Sequence, residues 1–252
     1  MNIPTYIINL KSCPDRKEYM ENVLAPFPFL DAIFIEGVDG RVMTCAEQEK
    51  VFDQNKAYKR YGRILGCGEV GCTLSHLDCC RRIAESGDGY GLIVEDDLVI
   101  RFPENIEQVF ADLIEEISVK EPRIILLTGD YWFLGRRKMQ NGLDLATVYD
   151  AVCAGAYLIN IAAAQALLNM GRSHIADDWR IIMHQGIAVS AVYPHIADQN
   201  RLDFRTTIAD INTGRTYRSN LSFKRNVQSY SEAIIKRFLK RIRHFESKEF
   251  VW

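Results

Sequence analysis

The sequence predicts an α/β protein built on an open, buried sheet, and three observations carry that expectation. Short apolar, β-branched runs recur along the chain and alternate with stretches of helical period. Glycine- and proline-bearing turns separate them. One run, residues 91–100 (GLIVEDDLVI), interrupts its apolar course with three consecutive acids, Glu95, Asp96 and Asp97. Buried parallel strands are near-continuous apolar runs, and open α/β sheets bind ligands beyond the carboxyl ends of their strands. An unpaired buried carboxylate is costly, so the triplet needs a partner, most simply a hard divalent cation that would also neutralise a diphosphate. The competing reading is a solvated turn or the cap of the next helix.

At 252 residues and 48% apolar composition, the chain suits one large domain, or one domain with an appendage. Met1 is followed at once by a strand-like TYIINL, so no secretory signal is expected, and no run approaches the ~18 apolar residues of a membrane span. The seven cysteines are odd in number. Cys67, Cys72, Cys79 and Cys80 are close in sequence but lack a C-x-x-C pair, which argues against zinc and for reduced thiols in a reducing, cytoplasmic setting. The net charge of −2 is unevenly placed: residues 224–252 hold eight Lys/Arg and three Glu, a net +5, leaving −7 on the rest.

In chain order, residues 5–10 read as the first strand. Ser12 then caps a helix with Pro14 just inside it and Asp15 in its first turn. A helix N-terminus after a strand suits an anion. Arg16 either reaches a phosphate or nucleobase, or pairs with Asp15 or Glu18 on a solvated face. Residues 32–36 make a second strand and 37–41 a turn. Thr44 opens a polar helix to about Asn55, with Glu47 as its capping-box partner. The basic, aromatic stretch 56–67 reads as a loop. Residues 68–85 form a helix entered through glycines, with Val70, Leu74, Leu77 and Arg81 on one face and Ser75-His76 on another. A lone helical histidine is more often structural than a ligand.

Residues 103–119 are amphipathic at helical spacing, and 123–128 form a buried strand closed by Gly129-Asp130. The stretch 131–144 reads as a surface loop and 153–159 as a small-residue strand, after which Asn160 caps an alanine-rich helix to Met170. Asp177-Asp178-Trp179 precede an apolar run, and 189–193 is the last strand, ended by Pro194 ahead of His195 and Gln199. Residues 200–222 are polar, aperiodic and expected to be mobile. In 230–245, Ile234, Ile235, Phe238, Leu239, Ile242 and Phe245 share one helical face, and most of Lys236, Arg237, Lys240, Arg241 and Arg243 share the other. Such a helix either lies on a membrane surface or packs on the body with its basic face in water. Nucleic acid is not an expected partner, because the body is acidic and offers no paired basic and aromatic platform.

Several pieces recur in a characteristic order. They are Asn9-Leu10 with Asp15-Arg16; Val38-Asp39-Gly40; Gly68-Glu69-Val70-Gly71-Cys72 with Ser75-His76; and Leu92-Ile93-Val94-Glu95-Asp96-Asp97. Then come Gly155-Ala156-Tyr157-Leu158-Ile159, Asp178-Trp179, and Pro194 with Gln199. Together they resemble glycosyltransferase family 25, the lipooligosaccharide and lipopolysaccharide glycosyltransferases, over roughly residues 2–200.

The resemblance implies a GT-A-type fold, a Rossmann-like α/β/α sandwich, here with a C-terminal basic amphipathic helix. The organisation is then a nucleotide-sugar transferase domain over 1–200, a polar mobile segment over 201–222 and the basic helix over 223–252. It implies inverting transfer of galactose or glucose from a UDP-sugar, UDP-galactose or UDP-glucose, to the growing oligosaccharide of a bacterial lipid. The acidic motif would act as a DxD equivalent for Mn²⁺ or Mg²⁺, with Asp97 the main ligand. Glu95 would touch ribose or the cation's water, and Asp96 would support either. Asn9, Arg16, Asp39 and Gly40 would contact the nucleotide, and His76 and Gln199 would join the site. His195 stands where many GT-A folds place a third metal ligand, although Gln199 fits the family pattern better. The base that deprotonates the acceptor hydroxyl would be Asp178, then Asp130. The lipid-linked acceptor implies peripheral association with the inner face of the cytoplasmic membrane, the basic helix resting on anionic lipid. Two alternatives remain at this stage. A nucleotidyltransferase-like enzyme should carry a phosphate-cradling glycine loop, which KSCPDRK lacks; the other is a non-catalytic nucleotide- or metal-binding protein.

Overall fold

A computed structural model of the chain describes residues 1–101, 105–200, 204 and 223–247, without the side chains of 223–230. The first half contains β1 (Ile3–Asn9), α1 (Pro14–Leu24), β2 (Leu30–Glu36), α2 (Cys45–Val51), α3 (Gln54–Tyr61), α4 (Cys67–Ser86), β3 (Tyr90–Glu95), β4 (Leu98–Ile100) and α5 (Ile106–Ile117). The second contains β5 (Arg123–Leu126), β6 (Tyr131–Lys138), β7 (Asp144–Ala151), β8 (Ala156–Asn160), α6 (Ile161–Asn169), α7 (Trp179–Met183), β9 (Ala188–Tyr193), β10 (Ala197–Gln199), α8 (Phe223–Arg241) and β11 (Phe245–Glu246).

Nine strands form one mixed sheet in the order β11-β6-β7-β9-β5-β8-β3-β1-β2, and β10 and β4 pair apart from it. β2, β1 and β3 run parallel, as do β5 and β9, while β8 lies antiparallel between β3 and β5. Alternation along each strand sends side chains to two opposite cores. Tyr6, Ile93 and Ile124 pack with Ile83 of α4, Ala163 of α6 and Trp179 of α7. Ile7, Leu92 and Ile125 pack with Met20 of α1 and Phe110 of α5. The result is an α/β/α sandwich. In α5, Val109, Phe110, Leu113 and Ile117 are buried at helical spacing, each contributing about 1.5–3 kcal/mol of transfer free energy.

Two local signals act as the sequence implies. Thr44 and Glu47 form a reciprocal capping box on α2, and the Asn160 side chain accepts from the Ala163 N–H at the start of α6. Other expectations need correction. Cys13, not Ser12, occupies the N-cap of α1 and makes no side-chain cap bond there. The helix from Thr44 stops at Val51. A new one, capped by Asp53, occupies 54–61 and runs into the expected loop at 56–67. The expected surface loop at 131–144 is mostly the β6–β7 hairpin. The C-terminal helix ends at Arg241 rather than running to 252, and Phe245–Glu246 instead add the short edge strand β11 to β6. The expected mobile segment 201–222 lies outside the described residues apart from Phe204. All seven cysteines are free thiols. No helix among the described residues is long and apolar enough to cross a membrane.

One close approach fixes the ligand-facing edge. A Cβ added to Gly40 would lie 1.9 Å from the Cys67 carbonyl oxygen, and one on Gly71 would lie 2.3 Å from the Val38 oxygen. The loop after β2 therefore rests directly on the first turns of α4. The Ser75 hydroxyl ties the two, accepting from the Val38 N–H and donating to the Gly71 carbonyl, both at 2.8 Å.

Candidate active site

The acidic run sits at the carboxyl edge of the parallel strands. Glu95 ends β3, and Asp96 and Asp97 form the turn into β4. Asn9, at the end of β1, donates from Nδ2 to Asp96 Oδ2 at 2.8 Å and to the Cys13 carbonyl at 3.0 Å. Arg16, in the first turn of α1, donates to Asp96 Oδ1 at 2.7 Å and lies 3.6 Å from Asp97 Oδ2. It therefore pairs with neither Asp15 nor Glu18 on a solvated face. Its guanidinium also lies 4.9 Å from the centre of the Phe204 ring. Both Asp96 oxygens are thus occupied by protein donors.

Asp97 differs. Its Oδ1 is buried without a hydrogen-bond partner. Burial, and then the neighbouring Glu95 charge, push its carboxyl up to about 7 against the pull of Arg16. An orphaned carboxylate oxygen at this edge is the feature a hard cation would satisfy.

Glu95 turns the other way. Its Oε2 accepts from Gln199 Nε2 at 2.9 Å, because β10 pairs with β4 and carries Gln199 across. Its Oε1 lies 3.5 Å from Nε2 of His76 on α4. Burial works against the Glu95 charge, but His76 and Gln199 outweigh it and hold the carboxyl below its ordinary range. Among the described residues, the group whose ligand atoms lie within 4.8 Å of one another is Cys72, His76 and Glu95, not the expected Asp97, Glu95 and His195. The side chain of His195 is buried against the last strand, with Nδ1 2.6 Å from Glu246 Oε1.

Asp39 is held by Arg41 at 2.7 Å, and that guanidinium keeps its carboxyl below the usual range against a smaller opposing effect of burial. The demand for glycine at position 40 is steric, set by Cys67 rather than by a ligand. Asp178 is the N-cap of α7, accepting from the Ile181 N–H at 3.2 Å and from the Tyr61 hydroxyl at 2.8 Å. Its neighbour Asp177 instead lies within electrostatic reach of Glu95 and His76. Asp177 Oδ2 accepts from the Cys153 N–H at 3.1 Å, and burial, opposed by that bond, raises its carboxyl. Trp179 Nε1 donates to the Cys153 carbonyl at 3.0 Å. The Asp-Asp-Trp run therefore clamps Cys153 by both backbone groups while it holds φ at +78°, a region L residues rarely adopt. Asp130, also at positive φ (+64°), follows β5, and its carbonyl accepts from Val152 at 2.9 Å.

Sequence reasoning missed Cys72, Asp177, Tyr157 and Phe204. Tyr157 lies in the Gly155–Ile159 motif but carries no role there, and nothing in the sequence marks Phe204. Cys72 stands four residues before His76, one helical turn, and that spacing was the available clue. A cavity of about 600 Å³ opens at the opposite edge, near the starts of β5 and β9. Its Arg123 and Arg137 pair with Glu116, and its Arg136 with Asp144.

Procollagen galactosyltransferase 1-B of Xenopus laevis is 27% identical over 210 residues, covering 77% of this chain and 33% of that protein. Probable inactive glycosyltransferase 25 family member 3 of Bos taurus is 30% identical over 175 residues, covering 65% and 28%. The chain thus spans about a third of the length of the curated relatives it matches. Among solved structures, the UTP-bound UGPase from Acinetobacter baumannii aligns with a TM-score of 0.45 at 10% identity, over 79% of this chain and 88% of that one. The profile of glycosyltransferase family 25 (LPS biosynthesis protein) matches residues 2–181, from β1 through the Asp-Asp-Trp clamp, and the chain belongs to that family.

Proposed function

We propose that this chain is a metal-dependent, inverting hexosyltransferase that moves galactose or glucose from a UDP-sugar to the oligosaccharide of a lipid-linked acceptor of bacterial lipopolysaccharide type. The observation that carries the reading is the buried, unpartnered Asp97 Oδ1 at the carboxyl edge of the sheet. Asp97 would hold Mn²⁺ or Mg²⁺, which when bound supplies charge neutralisation to the departing diphosphate. Arg16 and Asn9 fix Asp96 and with it the acidic turn, so that Asp97 is presented in one orientation. Gln199 does the same for Glu95. For the proton of the acceptor hydroxyl, Asp177 replaces Asp178 as the candidate base. Its carboxyl is raised by burial and lies within electrostatic reach of Glu95 and His76, whereas both Asp178 oxygens are engaged in holding α7 and Tyr61.

The acceptor's lipid gives the C-terminal helix a role. On α8 and just beyond it, Ile234, Ile235, Phe238 and Ile242 are exposed, among the exposed Arg237, Lys240, Arg241 and Arg243. This composition suits the interface of an anionic bilayer, and we propose peripheral attachment to the cytoplasmic face of the inner membrane.

The test is UDP release from UDP-galactose and UDP-glucose with Mn²⁺, Mg²⁺ or EDTA, comparing wild type with Asp97→Ala. Turnover of one donor, lost with EDTA and reduced at least ~100-fold in the variant, is expected. No turnover combined with no Mn²⁺-dependent UDP binding by calorimetry would overturn the reading and leave the chain beside the relatives named inactive.

A further inference from the structure

We propose that Cys72, His76 and Glu95 form a binding site for a borderline-soft divalent cation, Zn²⁺ foremost, distinct from the hard-cation position at Asp97. The geometry is local and specific. Cys72 and His76 are one turn apart on α4, and Glu95 reaches them from the end of β3, with one ligand atom of each within 4.8 Å of the others. Ligand atoms around a tetrahedral zinc stand about 3.5 Å apart, given metal–ligand distances of ~2.0–2.3 Å. The 3.5 Å from His76 Nε2 to Glu95 Oε1 already meets that spacing.

A second observation points to a ligand. The His76 side chain is about nineteen-twentieths buried, yet its Nε2 has no hydrogen-bond partner and faces this cluster. Its other nitrogen, Nδ1, lies 2.9 Å from the hydroxyl of Tyr157, which is itself buried and stacked on the imidazole at 5.7 Å. In the metal-bound form Nδ1–H would donate to Tyr157, leaving the Nε2 lone pair for the cation in place of the 3.5 Å approach to Glu95. A second hydrogen bond of this kind commonly orients a metal-bound histidine.

The donor set decides the metal. A thiolate and an imidazole with a single carboxylate select Zn²⁺ or Co²⁺ over Mg²⁺ and Mn²⁺, which prefer oxygen-rich sites. On binding, Cys72 releases its thiol proton to solvent and coordinates as the thiolate, with no change of oxidation state. The absence of a C-x-x-C pair argued against zinc from the sequence, but this site takes one cysteine and draws its third ligand from another element. Occupancy would claim Glu95, which Gln199 also holds.

The test reads metal binding without activity, so it stands apart from the transferase proposal. Reduced, metal-free protein carrying Cys13→Ser and Cys45→Ser is titrated with Co²⁺. The expected result is a thiolate-to-cobalt charge-transfer band that Zn²⁺ displaces and excess Mn²⁺ does not. Cys72→Ser abolishes the band, and Tyr157→Phe weakens Co²⁺ binding by about 10-fold or more. Glu95→Gln keeps the cysteine, so it retains the band at lower affinity even if Cys72→Ser fails to fold. Absence of the band in the Cys13→Ser/Cys45→Ser protein, its persistence in folded Cys72→Ser, or a Co²⁺ affinity unchanged in Glu95→Gln would overturn the proposal.

Discussion

Asp97 and His174 are buried groups whose folding equilibria depend on pH in opposite senses. The Asp97 carboxyl is pushed up to about 7 by burial and by Glu95. A carboxyl whose pKa rises on folding takes up protons as the chain folds, so it costs stability progressively as pH rises from about 4 to about 7. His174 is buried, and burial, aided by Arg60, lowers its imidazole to about 4. Folding expels its proton, so stability is lost as pH falls from about 6.5 to about 4 and is fully present above that window. The two effects, each on the order of 3 kcal/mol, oppose one another in the metal-free wild type. Urea midpoints between pH 4.5 and 7.5 should separate them. Asp97→Asn is expected to become steadily more stable with rising pH and His174→Gln steadily less. Parallel profiles for the two variants would contradict the assignment. At pH 8 metal-free Asp97→Asn should melt above wild type, since it removes the penalty that the cation would otherwise relieve.

At the scale of elements, the contact between the loop after β2 and α4 admits no side chain at two positions. Gly71→Ala drives a Cβ into the backbone of Val38 and Gly40 and should cost about 1–3 kcal/mol or more, read as a fall of several degrees in Tm. Asp178→Ala should cost about 1 kcal/mol through loss of the α7 cap and leave UDP release largely intact. Asp177→Asn should do the reverse, keeping Tm while transfer to an acceptor falls at least ~100-fold. Transfer lost in Asp178→Ala but retained in Asp177→Asn would return the base to Asp178. The same elements mark how far the sequence could be read. Thr44 with Glu47, Asn160 with Ala163, and the apolar face of α5 are legible because their partners lie within a few residues. The β6–β7 hairpin was hidden because Leu134 and Arg136–Lys138 point outward around Gly135 and imitate a loop. α3 was hidden because Ala57 alone among its residues is buried. In the site, the acidic run was legible from one strand end. The pairing of Arg16 with Asp96 spans 80 residues, and that of Glu95 with Gln199 spans 104. No local pattern encodes either.

For the molecule as a whole, the described side chains of α8 show how it meets the body. Leu239 is buried, Lys236 pairs with Asp150 and lies over Trp132, and Glu232 meets Arg180 at 3.2 Å. Its exposed isoleucines and phenylalanine face outward, so the membrane proposal can be tested without disturbing the body. Wild type should sediment with vesicles containing phosphatidylglycerol and be released by salt. Ile234→Asp/Phe238→Asp should remain soluble, with Tm unchanged within about 2 °C. Binding by that variant equal to wild type would remove the helix from the membrane account. The antiparallel β8 has a different kind of consequence, one that falls on the nascent chain. β3 pairs with β1 on one side, but its other neighbour is β8, which begins about sixty residues after β3 ends. At ~5–20 residues per second, the apolar run Leu92–Val94 leaves the ribosome with an open edge for several seconds. Until β8 arrives, that edge is a template for any other extended chain, so the interval between residues 95 and 156 exposes newly made protein to aggregation and to capture by chaperones.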